Sequence, residues 1–315
     1  MPYLHELDNF SELLEAVSAA EGIPSAMVEK DYWIMHCLWS LQDQGFDFFL
    51  KGGTSLSKGY DIIHRFSEDI DILIVPPQDM NIYTSKNHTK DIHIKSRRVF
   101  FDSLLQRIKI PGINKVEYDP SVPQDEKARN ADILLHYESK ADEQVEKLKE
   151  AVLLEVGFDD VEPCTEKTIS SWMTEHARRA SLDFEDTRAL KVKCYNPEYT
   201  FVEKLQAVST KFRQQQETGE MPRNFLRHYY DLYKLLELKE VQDFIGTDEY
   251  MAHKKKRFRG KDEKDLTKNE AFIMSDPETR SFYIEKYQEG SALYYKDQPP
   301  LEEIIDRLAK ILPDG

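Results

Sequence analysis

The chain has 315 residues, a formal net charge of −15 and a pI near 5.1, with 40% hydrophobic and 11% aromatic residues. That composition excludes a disordered chain, and the acidic balance excludes a general polyanion coat, so any contact with nucleic acid has to use a local basic patch. No apolar run approaches the length of a membrane span, and the opening segment MPYLHELDNFSELLEAV is too polar and acidic for a secretory signal. The three cysteines, Cys37, Cys164 and Cys194, lie far apart and form no metal-ligand pair, so they read as reduced thiols and the expected location is cytoplasmic.

Residues 8–20 and 24–44 read as amphipathic helices, the first capped by Asp8 and the second started by Pro24. The stretch from Phe46 to Pro76 then organises the chain. Phe46 to Leu50 is a short apolar run that breaks at Gly52-Gly53, as a buried strand ending in a tight turn does. Thr54 and Ser55 read as N-caps of a short helix, and glycines ahead of a helix let backbone N–H groups approach a phosphate. In Asp69 to Ile74 the residues alternate: Ile70, Ile72 and Ile74 face one way, Asp69 and Asp71 the other. Two carboxylates on adjacent same-face positions repel unless a cation sits between them, and oxygen-only ligands suit Mg²⁺ or Mn²⁺. A glycine turn for a triphosphate, followed by an acidic strand for metal, is what nucleotidyl transfer requires.

LKGGTSLSKGY followed by RFSEDIDILI resembles the signature of the AbiEii/AbiGii-type nucleotidyltransferase toxins, a branch of the DNA polymerase β-like superfamily. The resemblance implies an α+β or α/β fold: a small mixed sheet flanked by helices over residues 1–195, then an α-helical bundle over 196–315. It implies an NTP donor whose phosphates lie against Gly52, Gly53, Thr54 and Ser55, with Ser67 hydrogen-bonding a phosphate and Asp69 and Asp71 holding the metal. Glu29-Lys30-Asp31-Tyr32-Trp33 is similar to a box that family members carry ahead of the glycine turn; its charges are expected to anchor the helix, a catalytic role being the rival reading. Family members resemble toxins of toxin–antitoxin or phage-defence pairs, some acting on the tRNA acceptor end, so an antitoxin from an adjacent gene is the implied partner.

Pro76-Pro77 ends the acidic strand, residues 78–90 read as loop and 91–108 as a helix with Phe100, Phe101, Leu104, Leu105 and Ile108 inward. Its Lys95, Arg97 and Arg98 read either as a solvated face or as phosphate contacts. Residues 114–118, 131–138, Ala151 to Phe158 and Leu190 to Cys194 read as strands, with a polar loop from Gln124 to Asn130 and a charged surface connection over 142–149. Glu155 interrupts an apolar run and needs a partner; by the family resemblance it is a third metal ligand, and otherwise a salt-bridging residue.

From Pro197 the chain turns helical, with an inward stripe of Phe201, Leu205, Val208 and Phe212. Lys204 falls inside that stripe, and a buried lysine wants an anion, for which a triphosphate is a natural choice; snorkelling to the surface is the alternative. Glu203-Lys204-Leu205 resembles the family's lysine box. Gln214 to Met221 reads as a turn, and residues 222–238 as a helix whose Asp231 resembles the family's last acidic position, with Arg223 and Arg227 near it; an Arg227–Asp231 surface pair is the rival. KKKRFRGK then gathers Lys254, Lys255, Lys256, Arg257, Arg259 and Lys261 around one Phe, either a site for phosphate and a stacked base or a solvated loop. Residues 277–288 and 300–312 read as the last helices.

The reaction expected is transfer of NMP from an NTP to an acceptor, most readily the tRNA 3′ end. Asp69, Asp71, Lys204 and Asp231 are the expected catalytic residues. Protein nucleotidylylation is the alternative acceptor class, and a nucleotide-binding regulator without catalysis is the rival of another kind.

Overall fold

The isoleucine row of the acidic strand lies in the middle of a seven-stranded mixed sheet. The computed structural model describes residues 1–141, 145, 148, 150–159 and 161–311, so most of the 142–149 connection, and residue 312 of the last helix, lie outside the described residues. Two compact units are present, Met1–Tyr60 with Phe66–Tyr195, and Asp61–Arg65 with Asn196–Gly315.

In the first unit, helices α1 (Phe10–Glu21) and α2 (Ser25–Asp43) precede β1 (Asp47–Lys51). A helical turn, α3 (Gly52–Thr54), and a π-turn over Ser55–Gly59 lead towards β2 (Asp69–Val75). Then come α4 (Asp91–Arg107), β3 (Ile113–Tyr118), β4 (Asn130–Tyr137), β5 (Ala151–Gly157), β6 (Cys164–Ile169), α5 (Trp172–Arg179) and β7 (Ala189–Tyr195). The sheet order is β3-β4-β5-β2-β1-β7-β6. β2 runs antiparallel to β1 and parallel to β5, so it is hydrogen-bonded on both edges, and Ile70 and Ile72 are buried.

α2 packs against β2, β5 and β7 and is buried along nearly its whole length, charges included. Each charge of the Glu29–Trp33 box has a partner. Glu29 accepts from the Ser139 hydroxyl and from the Lys140 and Ala141 amides at 2.5, 2.8 and 3.1 Å. Lys30 donates to the Ala151 carbonyl on β5. Asp31 takes the Trp172 amide at 2.9 Å and Lys58 Nζ at 2.7 Å, and that ammonium also lies 3.8 Å from the Trp172 ring centroid. The box therefore fastens α2 to the sheet, to α5 and to the segment after the glycine turn. Asn9, not Asp8, occupies the N-cap of α1, and its side chain makes no cap bond.

Lys95 and Arg98 are exposed, as a solvated face requires, but Arg97 fits neither reading of the α4 basic cluster. It is 0% exposed. Its guanidinium donates to the carbonyls of Tyr83 at 2.7 Å, His88 at 3.2 Å, Lys127 at 2.8 Å and Ala128 at 3.1 Å. Arg97 precedes Phe100 and Phe101 by three and four residues, so it stands on the inward stripe, where burial excludes water and the loops on either side supply acceptors.

In the second unit, α6 (Pro197–Thr218) is followed by α7 (Arg227–Leu235), α8 (Lys239–Phe244), α9 (Asp248–Arg257), α10 (Glu270–Ile273), α11 (Pro277–Gln288) and α12 (Leu301–Ile311). α6 packs against α7, α8, α9 and α10, while α12 packs against α7, α10 and α11. The helix of residues 197–218 runs through the expected turn at Gln214 and stops at Gly219, whose φ of +74° supplies the left-handed C-cap. The helix expected over 222–238 is confined to Arg227–Leu235. Two elements of the first unit, β6 and α5, and three of the second, α8, α9 and α10, were not anticipated. Among the described residues no helix is long and apolar enough to cross a membrane.

Arg97→Met is expected to leave four backbone carbonyls without their donor and to destabilise the first unit by about 3 kcal/mol, measured by urea denaturation. Arg98→Met, on the exposed side of the same helix, is expected to change stability by less than about 0.5 kcal/mol.

Candidate active site

Strand register builds one line of charges across four strands of the first unit. Lys51 on β1 stands opposite Asp71 on β2, Asp71 opposite Glu155 on β5, and Glu155 opposite Asp132 on β4. Cross-strand partners share a face of the sheet, so all four side chains project together, and Asp69 joins them two positions along β2. Lys51 Nζ grips both oxygens of Asp71, at 2.8 and 2.9 Å. Glu155 is pushed up to about 7 by its burial and by the charges of Asp71, Asp69 and Asp132, with Lys51 acting the other way. The line is thus short of positive charge on its β5–β4 side.

The expected metal trio is Asp69, Asp71 and Glu155. They lie on one face, yet among the described residues no three acidic, His or Cys side chains draw close enough to share an ion. Asp71 is turned to Lys51 instead. The donor set still fits a hard divalent cation: it is all oxygen, Asp132 adds a carboxylate that was not foreseen, and the charge imbalance calls for a cation.

The glycine turn serves this line directly. Gly52 has φ +71°, and a Cβ there would lie 2.9 Å from Asp71 Oδ2. Lys51 holds the N-cap position, so Thr54 and Ser55 do not cap as expected; both are buried. Thr54 Oγ1 donates to the Asp69 carbonyl at 2.6 Å and lies 3.1 Å from the Ser67 hydroxyl, tying the turn to the start of β2. Around the charges opens a cleft of about 620 Å³ whose lining includes Lys51, Asp71, Asp132 and Glu155 together with Lys86 and Arg129. Lys86 is paired with Asp159 at 2.9 Å, and Arg129 is braced by the Thr84 and Ser85 carbonyls at 2.7 Å each. The cleft therefore sets acidic and basic side chains side by side.

The second unit gathers the other two expected catalytic residues. Lys204 Nζ lies 2.9 Å from Asp231 Oδ2, and Arg65 closes a two-bond fork on the same carboxylate at 2.7 and 2.8 Å. Asp231 is 0% exposed, so the surface pair with Arg227 is overturned. Burial alone would raise its pKa, but Arg65 and then Lys204 hold it well below the usual carboxylate range. His228 is driven down to about 3 by burial and by Lys204, which keeps the ring neutral beside the pair. The anion that a buried Lys204 requires is thus Asp231, so neither snorkelling nor a triphosphate is needed to account for its burial.

The basic cluster is largely dismantled as a base-stacking site. Phe258 is buried, Lys254 is buried over the Tyr250 ring at 5.4 Å, and Arg257 is paired with Glu203 at 2.5 Å. Lys255, Lys256, Arg259 and Lys261 remain exposed.

Residues 33–307 match the family model described as "Nucleotidyl transferase AbiEii toxin, Type IV TA system". The chain belongs to the AbiEii family. It is therefore a nucleotidyltransferase of a toxin family, and a type IV toxin–antitoxin system implies an antitoxin as its partner. No curated protein matches the sequence. A crystal structure of an antigenic nucleotidyltransferase-like protein from Paracoccidioides brasiliensis is similar over 85% of this chain and 98% of its own, at 15% identity, and its TM-score of 0.37 carries no argument. The AbiEii match takes in the glycine turn, the acidic strand, Lys204 and Asp231, and begins at Trp33, leaving Glu29 to Tyr32 outside it.

Gly52→Ala is expected to push the Asp71 carboxylate away from its place and to lower the transfer rate by about 100-fold, at a stability cost of about 1 kcal/mol; rate and melting curve separate the two effects. Asp231→Ala leaves Arg65 and Lys204 as buried cations without their carboxylate and is expected to destabilise the second unit by about 3–5 kcal/mol in denaturant titrations. Because the folded pKa of Asp231 is lowered, the stability it contributes is fully present above its unfolded pKa of about 3.9. That contribution is lost only as pH falls through the lower folded value.

Proposed function

We propose that this AbiEii-family enzyme transfers NMP from an NTP to the 3′ acceptor end of tRNA in the cytoplasm, releasing pyrophosphate, as the toxin partner of an antitoxin encoded beside it. The observation that carries the reading is the line Lys51–Asp71–Glu155–Asp132 facing a cleft that also holds Lys86 and Arg129. Asp69, Asp71 and Glu155, with Asp132, would hold Mg²⁺ or Mn²⁺, which when bound supplies charge stabilisation at the α-phosphate and at the leaving oxygen.

The chain's own residues account for the rest. Lys51, beside Asp71, would face the phosphates together with Lys86 and Arg129 of the same cleft. Gly52 and Gly53 let the backbone come close, and Ser67 stands at the start of the acidic strand. Lys204, oriented by Asp231, is assigned to the triphosphate on the family pattern. A ribose hydroxyl of the acceptor forms the new O–P bond as the bond from the α-phosphorus to pyrophosphate breaks. Its proton goes to Asp132, the carboxylate at the end of the line away from Lys51. Lys255, Lys256, Arg259 and Lys261 supply exposed positive charge for the RNA backbone.

The test is purified protein with Mg²⁺, each labelled NTP and total tRNA, run beside Asp71→Ala. Label is expected on RNA with matching pyrophosphate release, and Asp71→Ala is expected to lower both by at least about 1,000-fold. Label on protein alone would replace the acceptor with a Ser, Thr or Tyr hydroxyl. Nucleotide binding without pyrophosphate release would make the chain a regulator, and equal labelling by Asp71→Ala would sink the mechanism.

A further inference from the structure

A second pocket, of about 300 Å³, opens between α4, the end of β3 and β4, and it shares Asn130 and Asp132 with the catalytic cleft. Asp132 is thus a common wall. Its position is set from both sides: it pairs with Glu155 in the sheet, and its carbonyl accepts the Asp119 amide at 2.8 Å.

We propose that this pocket is the acceptor subsite and takes the terminal ribonucleoside of an RNA with a free 3′-hydroxyl. The inference deepens the transferase reading above and rests on it for the reaction, though not for the binding. Three observations carry it. The first is geometric. In an in-line displacement the attacking oxygen enters opposite the leaving one. The glycine turn and Lys51 stand at the β1 end of the charged line, so the attacking hydroxyl belongs at the other end, beside Asp132, where this pocket begins.

The second is electrostatic. The pocket is walled by Asp102, Asp119 and Asp132, with Arg98 as the cation in its lining. Such walls repel a phosphate, so an RNA chain enters by a nucleoside that carries none on its 3′ side, and its 5′ phosphate stays outside. The third is chemical. Carboxylates accept from ribose hydroxyls and base N–H groups, of which a nucleoside offers several and a serine or threonine side chain one. A flat base meets the ring of Tyr118, whose hydroxyl is fixed on Asp102 at 2.8 Å, along with Phe101, Val122 and Pro123. The volume lies at the lower end of small-ligand pockets, room for a single nucleoside.

The experiment is equilibrium binding, without NTP, of a short 5′-fluorescent RNA ending in a 3′-hydroxyl or in a 3′-phosphate, to the full chain and to Val122→Trp and Asp102→Asn. Val122 is 37% exposed, so the tryptophan fills the pocket from its rim without entering the core. The parent is expected to bind the 3′-hydroxyl RNA about tenfold more tightly than the 3′-phosphate RNA, and Val122→Trp is expected to erase that preference. Asp102→Asn, which keeps the size of the wall and removes its charge, is expected to bring the 3′-phosphate RNA closer to the 3′-hydroxyl RNA. NTP affinity is expected to stay within about twofold in both variants. Equal binding of the two RNAs by the parent overturns the proposal, as does a loss of NTP affinity with RNA binding intact, which would make this the donor-base pocket. End-selective binding without transfer leaves the subsite standing and sinks the transferase reading. Transfer to RNA with an unchanged acceptor KM in Val122→Trp does the reverse.

Discussion

Carboxylates set side by side on hydrogen-bonded strands repel one another, and a sheet tolerates them only where something compensates. Here Asp71, Glu155 and Asp132 stand in one line with Lys51 at its β1 end. Strand pairing fixes their spacing, so the residues cannot drift apart to relieve the repulsion. The opposite face explains why the pairing holds. Ile70 and Ile72 are buried, and α2 is fastened by Glu29, Lys30 and Asp31 to the sheet, to α5 and to the segment after the glycine turn. A frame braced in this way holds the repelling groups at a fixed spacing despite their charge.

Much of this was legible in the chain. Alternation in Asp69 to Ile74 revealed both the acidic face and the buried one, and the glycine pair marked the turn beside it. Lys51 was not legible as the counterion, because a lysine before two glycines reads as the frayed end of a strand; its role comes from register with Asp71, a residue twenty positions on. Asp132 left a fainter mark. It is an acid between Ala131 and Ile133 in an otherwise apolar strand, the same break in pattern that drew attention to Glu155.

Other differences share one cause. Arg97 and Lys204 both sit on the apolar stripe of their helices, yet charge suggested a solvent or ligand role. Each is satisfied inside the protein, Arg97 by backbone carbonyls and Lys204 by Asp231. Position on the stripe was the better guide than residue type. β6 escaped notice for the opposite reason: it is an edge strand, and CTEKTI carries too little apolar alternation to announce itself.

Arg65 lies between the glycine turn and the acidic strand in sequence but folds with the helical unit, along with Asp61 to His64. A polypeptide cut at Asn196 would therefore carry Asp231 and Lys204 without the guanidinium that shares the carboxylate between them. The helical half is not a transplantable module. Any recombination or gene fusion that swaps one half for that of a relative has to bring this short internal segment with it.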